Sequence, residues 1–177
     1  MNKFVFGNAD KHGVYYDEEN RRHLNSIRMQ FASVAINLAD NNRKEDARKL
    51  VERCDKMMLQ ENFPYGMVSR GQQHNQISGQ FLLAAYKAGD SILAKKVASS
   101  LRKDLDQQVT YFNSLDEDKQ GSLAYENQMV MGMLKEIQQL EEYFKRPQPE
   151  VVNPESVSPL IKNSPKVKDT QVHDKIQ

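Results

Sequence analysis

The feature that most constrains this chain is a helical period of apolar residues, which recurs with short interruptions between positions 18 and 145. Apolar side chains return every three or four residues, so each segment has one apolar face, as an amphipathic helix requires. Helices are predicted over 18–40, 44–60, 76–88, 91–113 and 118–145. The apolar face expected to meet the core on the first of them consists of Leu24, Ile27, Phe31, Val34, Ala35 and Leu38. No segment combines strand-like alternation with flanking turn residues. The sequence therefore predicts an all-α domain.

Capping residues mark several of the predicted helix ends. Asp17 is predicted to be the N-cap of the first helix. Gly89 is expected to end the third helix and Asp90 to cap the fourth. Ser114 and Glu117 have the spacing of a capping box before the last helix.

The chain also contains an imperfect internal repeat. The string from Tyr86 to Asp90, followed by Ala94, resembles the turn of a tetratricopeptide repeat, where small residues let two antiparallel helices approach closely. Asn42 has the equivalent turn position in the first half, and asparagine also tolerates a left-handed backbone. Ala47 and Ala94 are 47 residues apart, whereas the standard unit has about 34.

This repeat predicts antiparallel helix pairs in a degenerate tetratricopeptide-like, right-handed array, with the long last helix as a C-terminal cap. A helical bundle without repeats is the alternative. Around the helical region, 17–146, we expect an extended aromatic-rich segment at 1–16. Five of the six prolines lie between 147 and 165, so 147–177 is predicted to be a flexible tail.

The charge balance argues against nucleic-acid binding, and the hydropathy argues against membrane insertion. The 25 basic residues are balanced by 24 acidic ones, whereas nucleic-acid binding needs a concentrated basic surface. No apolar stretch approaches the roughly 18–20 residues that span a bilayer, so direct membrane insertion by this chain is not expected. Taken alone, the sequence is typical of a free-standing cytoplasmic protein.

The residues that usually perform catalysis form no recognisable constellation. The four histidines lack metal-ligand spacing among themselves or with Cys54, which lies on an apolar helix face. No glycine-rich phosphate loop or Ser/His/Asp arrangement is found. We therefore predict no catalytic residue, no metal site and no cofactor, and a chain that is not itself an enzyme.

A polar segment from Ser69 to Ser78 joins the two predicted helix pairs and is dense in hydrogen-bonding side chains. Such a segment is typical of a solvated loop with a helix cap, and the alternative is that it lines a groove for a ligand or peptide. The candidate contact residues are Ser69, Arg70, Gln73, His74, Asn75 and Gln76. Near the N-terminus, the segment from Phe4 to Asn8 is apolar enough to require burial, in this domain or on a neighbour.

Several short motifs, in their order along 2–145, resemble one protein family. They are the strings Lys3 to Asn8, Tyr16 to Asn20, Phe31 to Leu38, Ser69-Arg70 with His74 to Ser78, and Ala88 to Asp90. Together they resemble the C-terminal soluble domain of a family of multi-pass membrane proteins from Bacteroidetes. That family, formerly a domain of unknown function, is placed near the protein O-mannosyltransferases. The 147–177 tail has no counterpart in the resemblance.

The resemblance implies a fragment of a GT-C-type glycosyltransferase that uses a lipid-linked sugar, with its catalytic acids in a membrane part outside this chain. The chain would then be a non-catalytic accessory domain on the periplasmic face of the inner membrane, contacting an acceptor protein or its own membrane part. Lys3, Phe4, Phe6 and Asn8 would form the connector to that part. The alternative is a free-standing tetratricopeptide-like adaptor that binds a peptide or partner protein.

Overall fold

The helical period gives rise to six α-helices in the computed structural model, which describes residues 6–146. Their bounds are α1 Glu18–Asp40, α2 Lys44–Met57, α3 Gln73–Lys87, α4 Ser91–Asn113, α5 Glu117–Ser122 and α6 Ala124–Lys145. A short 3-10 turn, Arg70–Gln72, precedes α3, and no strand occurs within the described residues. The predicted all-α class is confirmed. The 147–177 segment lies outside the described residues.

Two helix hairpins, α1–α2 and α3–α4, have matching turns. Residues 41–43 join the first pair and 88–90 join the second. The middle residue of each turn has a left-handed backbone, with φ of 60° at Asn42 and 75° at Gly89. These are the two residue types that adopt this conformation at least cost, so both turn predictions are confirmed.

The same hydrogen bonds close both turns. The backbone N–H of Arg43 donates to the Leu38 carbonyl at 2.8 Å, and that of Asp90 donates to the Ala85 carbonyl at 3.0 Å. This i to i−5 bond is the one that defines the Schellman ending of a helix. The two turns are therefore equivalent position by position, at an offset of 47 residues.

Small residues line the helix contacts at the centre of the molecule. α1 contacts α2 and α3, α3 contacts α4, and α4 contacts α6. Alanine at such positions lets helix axes approach closely because it adds only a methyl group to the interface. Within 18–113, the buried alanines are Ala32, Ala35, Ala39, Ala47, Ala84, Ala85, Ala88, Ala94 and Ala98.

The N-caps follow the predictions with one exception. The Asp17 carboxylate accepts from the Asn20 N–H, and the Asp90 carboxylate accepts from the Leu93 N–H. The predicted capping box at Ser114 is wrong, because Asp116 caps α5. Asp116 directly precedes the helix, so its carboxylate can accept from a backbone N–H of the first turn. Ser114 lies two residues farther from the helix.

Three predicted helix boundaries are wrong. The second helix ends at Met57 instead of 60, and the third begins at Gln73 instead of 76. A left-handed backbone at Gln72, with φ of 57°, sets that earlier start. The last predicted helix is divided at Leu123, whose φ of −107° and ψ of 14° leave the helical region. The weak helix formers Gly121 and Ser122 precede that break.

The buried face of α1 is rotated from the predicted one. Val34, expected to face the core, is 49% exposed. Asn25 and Arg28 are buried in its place, between Leu24 and Phe31 on the same face. The helix therefore carries polar groups into the interior, where they must find partners.

The N-terminal segment, residues 6–16, is packed against the helices. Phe6 is buried with its ring centroid 5.6 Å from that of Phe31. The Leu59 N–H donates to the Ala9 carbonyl at 2.9 Å. Phe6 is thereby unavailable to contact a second domain, whereas Asn8 is exposed. The other two proposed connector residues, at positions 3 and 4, lie outside the described residues.

Candidate functional site

The side chain of Arg28 organises the polar interior of the protein. It is only 1% exposed. Its Nη1 donates to the Pro64 carbonyl and to Ser78 Oγ, both at 3.1 Å, and its Nη2 donates to the Phe63 carbonyl at 2.9 Å. Arg28 thus fastens the loop between α2 and α3 to helix α1.

Aromatic rings surround the same guanidinium. Arg28 Cζ lies 4.2 Å from the centroid of Phe63 and 4.6 Å from that of Tyr65, which is within the range of cation–π attraction. The Tyr65 hydroxyl donates to Asp55 Oδ1 at 2.8 Å. Burial lowers the pKa of Arg28 from its ordinary value, and the Tyr65, Cys54 and Asp55 groups oppose that shift.

His74 belongs to this buried cluster. Its Nε2 lies 2.8 Å from the Pro64 carbonyl and its Nδ1 lies 3.2 Å from Asn25 Nδ2. A neutral ring that donates from Nε2 and accepts at Nδ1 satisfies both contacts. Burial, reinforced by the nearby charge of Arg28, lowers the pKa of His74 to about 4. The imidazole is therefore uncharged at neutral pH.

A second buried network surrounds Asn75. Its Nδ2 donates to Asp104 Oδ2 at 2.8 Å and to Gln72 Oε1 at 2.9 Å, while its Oδ1 accepts from the Met67 N–H at 3.0 Å. Gln108 on α4 donates to the same Asp104 carboxylate. Asn75 therefore joins the loop, α3 and α4.

The structure separates the six predicted contact residues into two groups. Ser69 is partly exposed, and Arg70, Gln73 and Gln76 are exposed. The side chains of His74 and Asn75 are buried in the two networks and are not exposed at the surface. The reason is that residues from 73 onward are helical, and a helix turns some of its side chains inward.

A cavity of about 790 Å³ lies beside the exposed members of this group. Ser69, Arg70 and Gln73 line one side, with His74 at its wall. The opposite side comes from the first turns of α1 and the residues before and around it: Tyr15, Glu18, Arg21, Arg22 and Asn25. Met67 and Val68 complete the lining. The cavity therefore lies between α1 and the start of α3.

The described residues assemble no metal centre or reactive thiol. Within 6–146, no group of three or more histidine, cysteine or acidic side chains is placed to hold a metal ion. Cys54 is buried, and burial raises the pKa of its thiol to about 12. A protonated, enclosed thiol is not a nucleophile. None of the described helices is both long and apolar enough to cross a bilayer.

The part that α1 takes in the buried cluster, through Arg28, and in the cavity, through Arg21, was not predicted from the sequence. Arg28 lies four residues after Leu24 and three before Phe31, in the middle of the apolar stripe. A charged residue at such a position indicates a buried group that is paired with other polar groups, and this pattern could have located it. Arg21 carries no comparable pattern, because it is an ordinary charged residue of the first helix.

Comparison of the chain with protein-family models, curated proteins and solved structures finds no match. Its function must therefore be argued from its own residues.

Proposed function

We propose that this chain is a non-catalytic helical domain that contacts a protein or peptide. The observation that carries this proposal is the 790 Å³ cavity between α1 and the start of α3. Its volume lies in the range of ligand-binding clefts, about 300–1,000 Å³. The exposed polar residues Arg70 and Gln73 line it, alongside the exposed apolar residue Val68. Such a mixture suits a peptide segment, which presents both kinds of group.

The helix arrangement supports a scaffold for such contacts. We interpret the hairpins α1–α2 and α3–α4 as degenerate tetratricopeptide-like repeats in a right-handed array, with α6 as the C-terminal cap. The matched turns and the alanine pair Ala47 and Ala94 favour this interpretation. Arrays of helix pairs present extended surfaces that bind other proteins.

The sequence resemblance suggests where this contact operates. On that basis the chain is an accessory domain of a membrane glycosyltransferase of the protein O-mannosyltransferase type, at the periplasmic face. It would hold an acceptor protein, or its own membrane part, while the chemistry proceeds elsewhere. The free-standing adaptor remains the alternative, and the cavity would serve either role.

Site-specific photo-crosslinking in the native cells tests the contact role. A benzophenone amino acid placed at Arg70 should form a defined protein adduct, because this side chain is exposed at the cavity. The same group at Ile92, which is exposed on α4 and outside the cavity, is the control. Equal adducts at both positions, or none at Arg70, would contradict the proposal.

Deleting 6–146 from its own gene tests the glycosyltransferase assignment. We expect reduced glycosylation of envelope proteins, measured by glycan staining and mass spectrometry of the acceptors. Unchanged glycosylation of every acceptor would reject this assignment. The crosslinking experiment would still test the contact role independently.

A further inference from the structure

We propose that the 790 Å³ cavity binds an acidic peptide segment that carries an apolar side chain next to its carboxylates. The proposal rests on the contact function above and names the chemical class of the partner. Its basis is a local excess of positive charge on a chain that is nearly neutral as a whole.

The cavity lining contains three arginines, Arg21, Arg22 and Arg70, and a single carboxylate, that of Glu18. Arg22 is already paired with Glu19, at 2.9 Å. The other two guanidinium groups form no ion pair with any described residue. The Asp17 carboxylate interacts electrostatically with Arg21 without forming a salt bridge. The positive charges of Arg21 and Arg70 can therefore attract an anion.

The hydrogen bonds of Arg21 hold it in place without neutralising it. Its Nε donates to the Tyr16 carbonyl at 2.8 Å, and its terminal nitrogens lie 3.4 Å from Met67 Sδ and from the Tyr15 hydroxyl. A guanidinium fixed by neutral partners keeps its charge and loses little entropy on binding a carboxylate. Arg21 is thus a preorganised anion-binding group.

Arg70 lies on the other side of the cavity and is exposed. It belongs to the 3-10 turn that precedes α3, where Gly71 has a left-handed φ of 59°. Together with Arg21 it supplies the cavity lining with two cations that form no salt bridge, which suits two carboxylates of one ligand better than a single small anion.

Exposed apolar side chains also border this space. Tyr15 is 82% exposed and Val68 is 64% exposed, and both line the cavity. An apolar side chain of the ligand would remove these surfaces from water, which contributes affinity that a purely ionic contact lacks.

A peptide fits these features better than nucleic acid does. Glu18 lines the cavity and Glu19 is paired with the lining residue Arg22, and these carboxylates would repel a continuous phosphate backbone. Nucleic-acid binding also depends on a basic surface that extends over many phosphates. A short peptide can place its acids at the two arginines and avoid the glutamates.

Fluorescence anisotropy with labelled hexapeptides tests the proposal on the full chain. One peptide contains glutamates and leucines, and the matched peptide has glutamine at each glutamate position. We expect the acidic peptide to bind about ten-fold more tightly, and its affinity to fall as salt screens the exposed charges. Equal binding of the two peptides, or no binding of the acidic one, would overturn the acidic specificity.

Charge-reversal variants locate the binding. Arg70→Glu should weaken binding of the acidic peptide by about ten-fold or more, because it replaces an attraction by a repulsion. Lys44→Glu changes the net charge equally at an exposed residue outside the cavity and should leave binding unchanged. Equal losses in both variants would assign the effect to net charge and overturn the site.

The crosslinking result separates the two proposals. A specific adduct at Arg70 combined with no preference for the acidic peptide would refute only the acidic ligand. Absence of both the adduct and peptide binding would refute the contact function as well.

Discussion

At the scale of single residues, the interior of this protein depends on polar groups that the helical period does not reveal. The pattern correctly placed Leu24, Phe31 and Ala35 in the core of α1. The pattern wrongly placed Val34 in the core. Valine counts as apolar in the sequence pattern whether or not a neighbouring helix covers its side chain. Arg28 was missed because its partners, the carbonyls of Phe63 and Pro64, lie in a loop whose path no periodicity describes.

Arg28→Lys should destabilise the protein by about 2–4 kcal/mol. Lysine keeps the buried charge, but its single ammonium cannot reproduce the planar fork that reaches Phe63 and Pro64, nor the stacking on Tyr65. The measurement is the free energy of unfolding in urea. Arg48→Lys, on an exposed arginine paired with Glu52, is the matched control and should change little. Equal changes in the free energy of unfolding in both variants would show that the planar guanidinium of Arg28 contributes nothing to stability beyond its charge.

His74 should make stability depend on pH between about 7 and 4. Its pKa is lowered to about 4 in the folded protein, below the ordinary value of 6.5, so the unfolded chain binds a proton first as the pH falls. The stabilising contribution is therefore complete above pH 7 and is lost as the pH approaches 4, by about 3 kcal/mol in total.

Urea unfolding at several pH values measures this dependence. His74→Gln should remove that part of the slope, whereas His23→Gln, at an exposed histidine, should preserve it. If the His74 variant keeps the full slope, the pH dependence belongs to other groups.

At the scale of elements, the sequence predicted the helices and their turns better than the segment between the two hairpins. Asn42 and Gly89 were identifiable because left-handed positions favour few residue types. The loop at 58–69 was visible only as a break in the period. Its path is set by long-range hydrogen bonds to α1, α3 and α4, and such bonds leave no trace in local sequence.

Gly66→Ala should destabilise the protein by about 2–3 kcal/mol. Gly66 lies against α4, where its N–H donates to Ser100 Oγ at 3.0 Å. A Cβ here would overlap the Ser100 carbonyl oxygen and lie 2.8 Å from Asp104 Cβ, so the loop would have to move away from the helix.

Gly132→Ala on α6 is the matched control for this change. A Cβ there meets no atom within 4 Å, and alanine is the better helix former, so this variant should gain about 1 kcal/mol. Thermal unfolding of both variants gives the comparison. A stable Gly66 variant would mean that the loop does not need its close approach to α4.

At the scale of the whole molecule, the candidate site is built from segments far apart in sequence. The cavity joins Tyr15, Arg21 of α1 and Arg70 before α3. The sequence identified the 69–78 side of this space because its polar residues are adjacent. The α1 side could not be predicted, since which face of α1 meets α3 depends on the packing of the hairpins. The N-terminal residues complete the cavity only because 6–16 is folded onto the helices.

Phe6→Ala tests whether this N-terminal segment is part of the cooperative fold. Phe6 is buried against Phe31, so removing its ring should cost about 3–5 kcal/mol, as for other buried phenylalanines. Ile92→Ala, at a residue 79% exposed, removes an apolar side chain without opening the core and should cost far less. Labelling of the buried Cys54 thiol during urea unfolding provides a second probe beside circular dichroism.

If the segment folds together with the helices, both probes should move to lower urea in parallel in the Phe6 variant. The Cys54 thiol lies on α2, away from the substitution in sequence, and it reacts only when the core opens. A variant with unchanged unfolding would show that 6–16 is an independent appendage. It could then extend toward a membrane part, as the connector hypothesis requires, and the Tyr15 side of the cavity would not be a fixed part of the site.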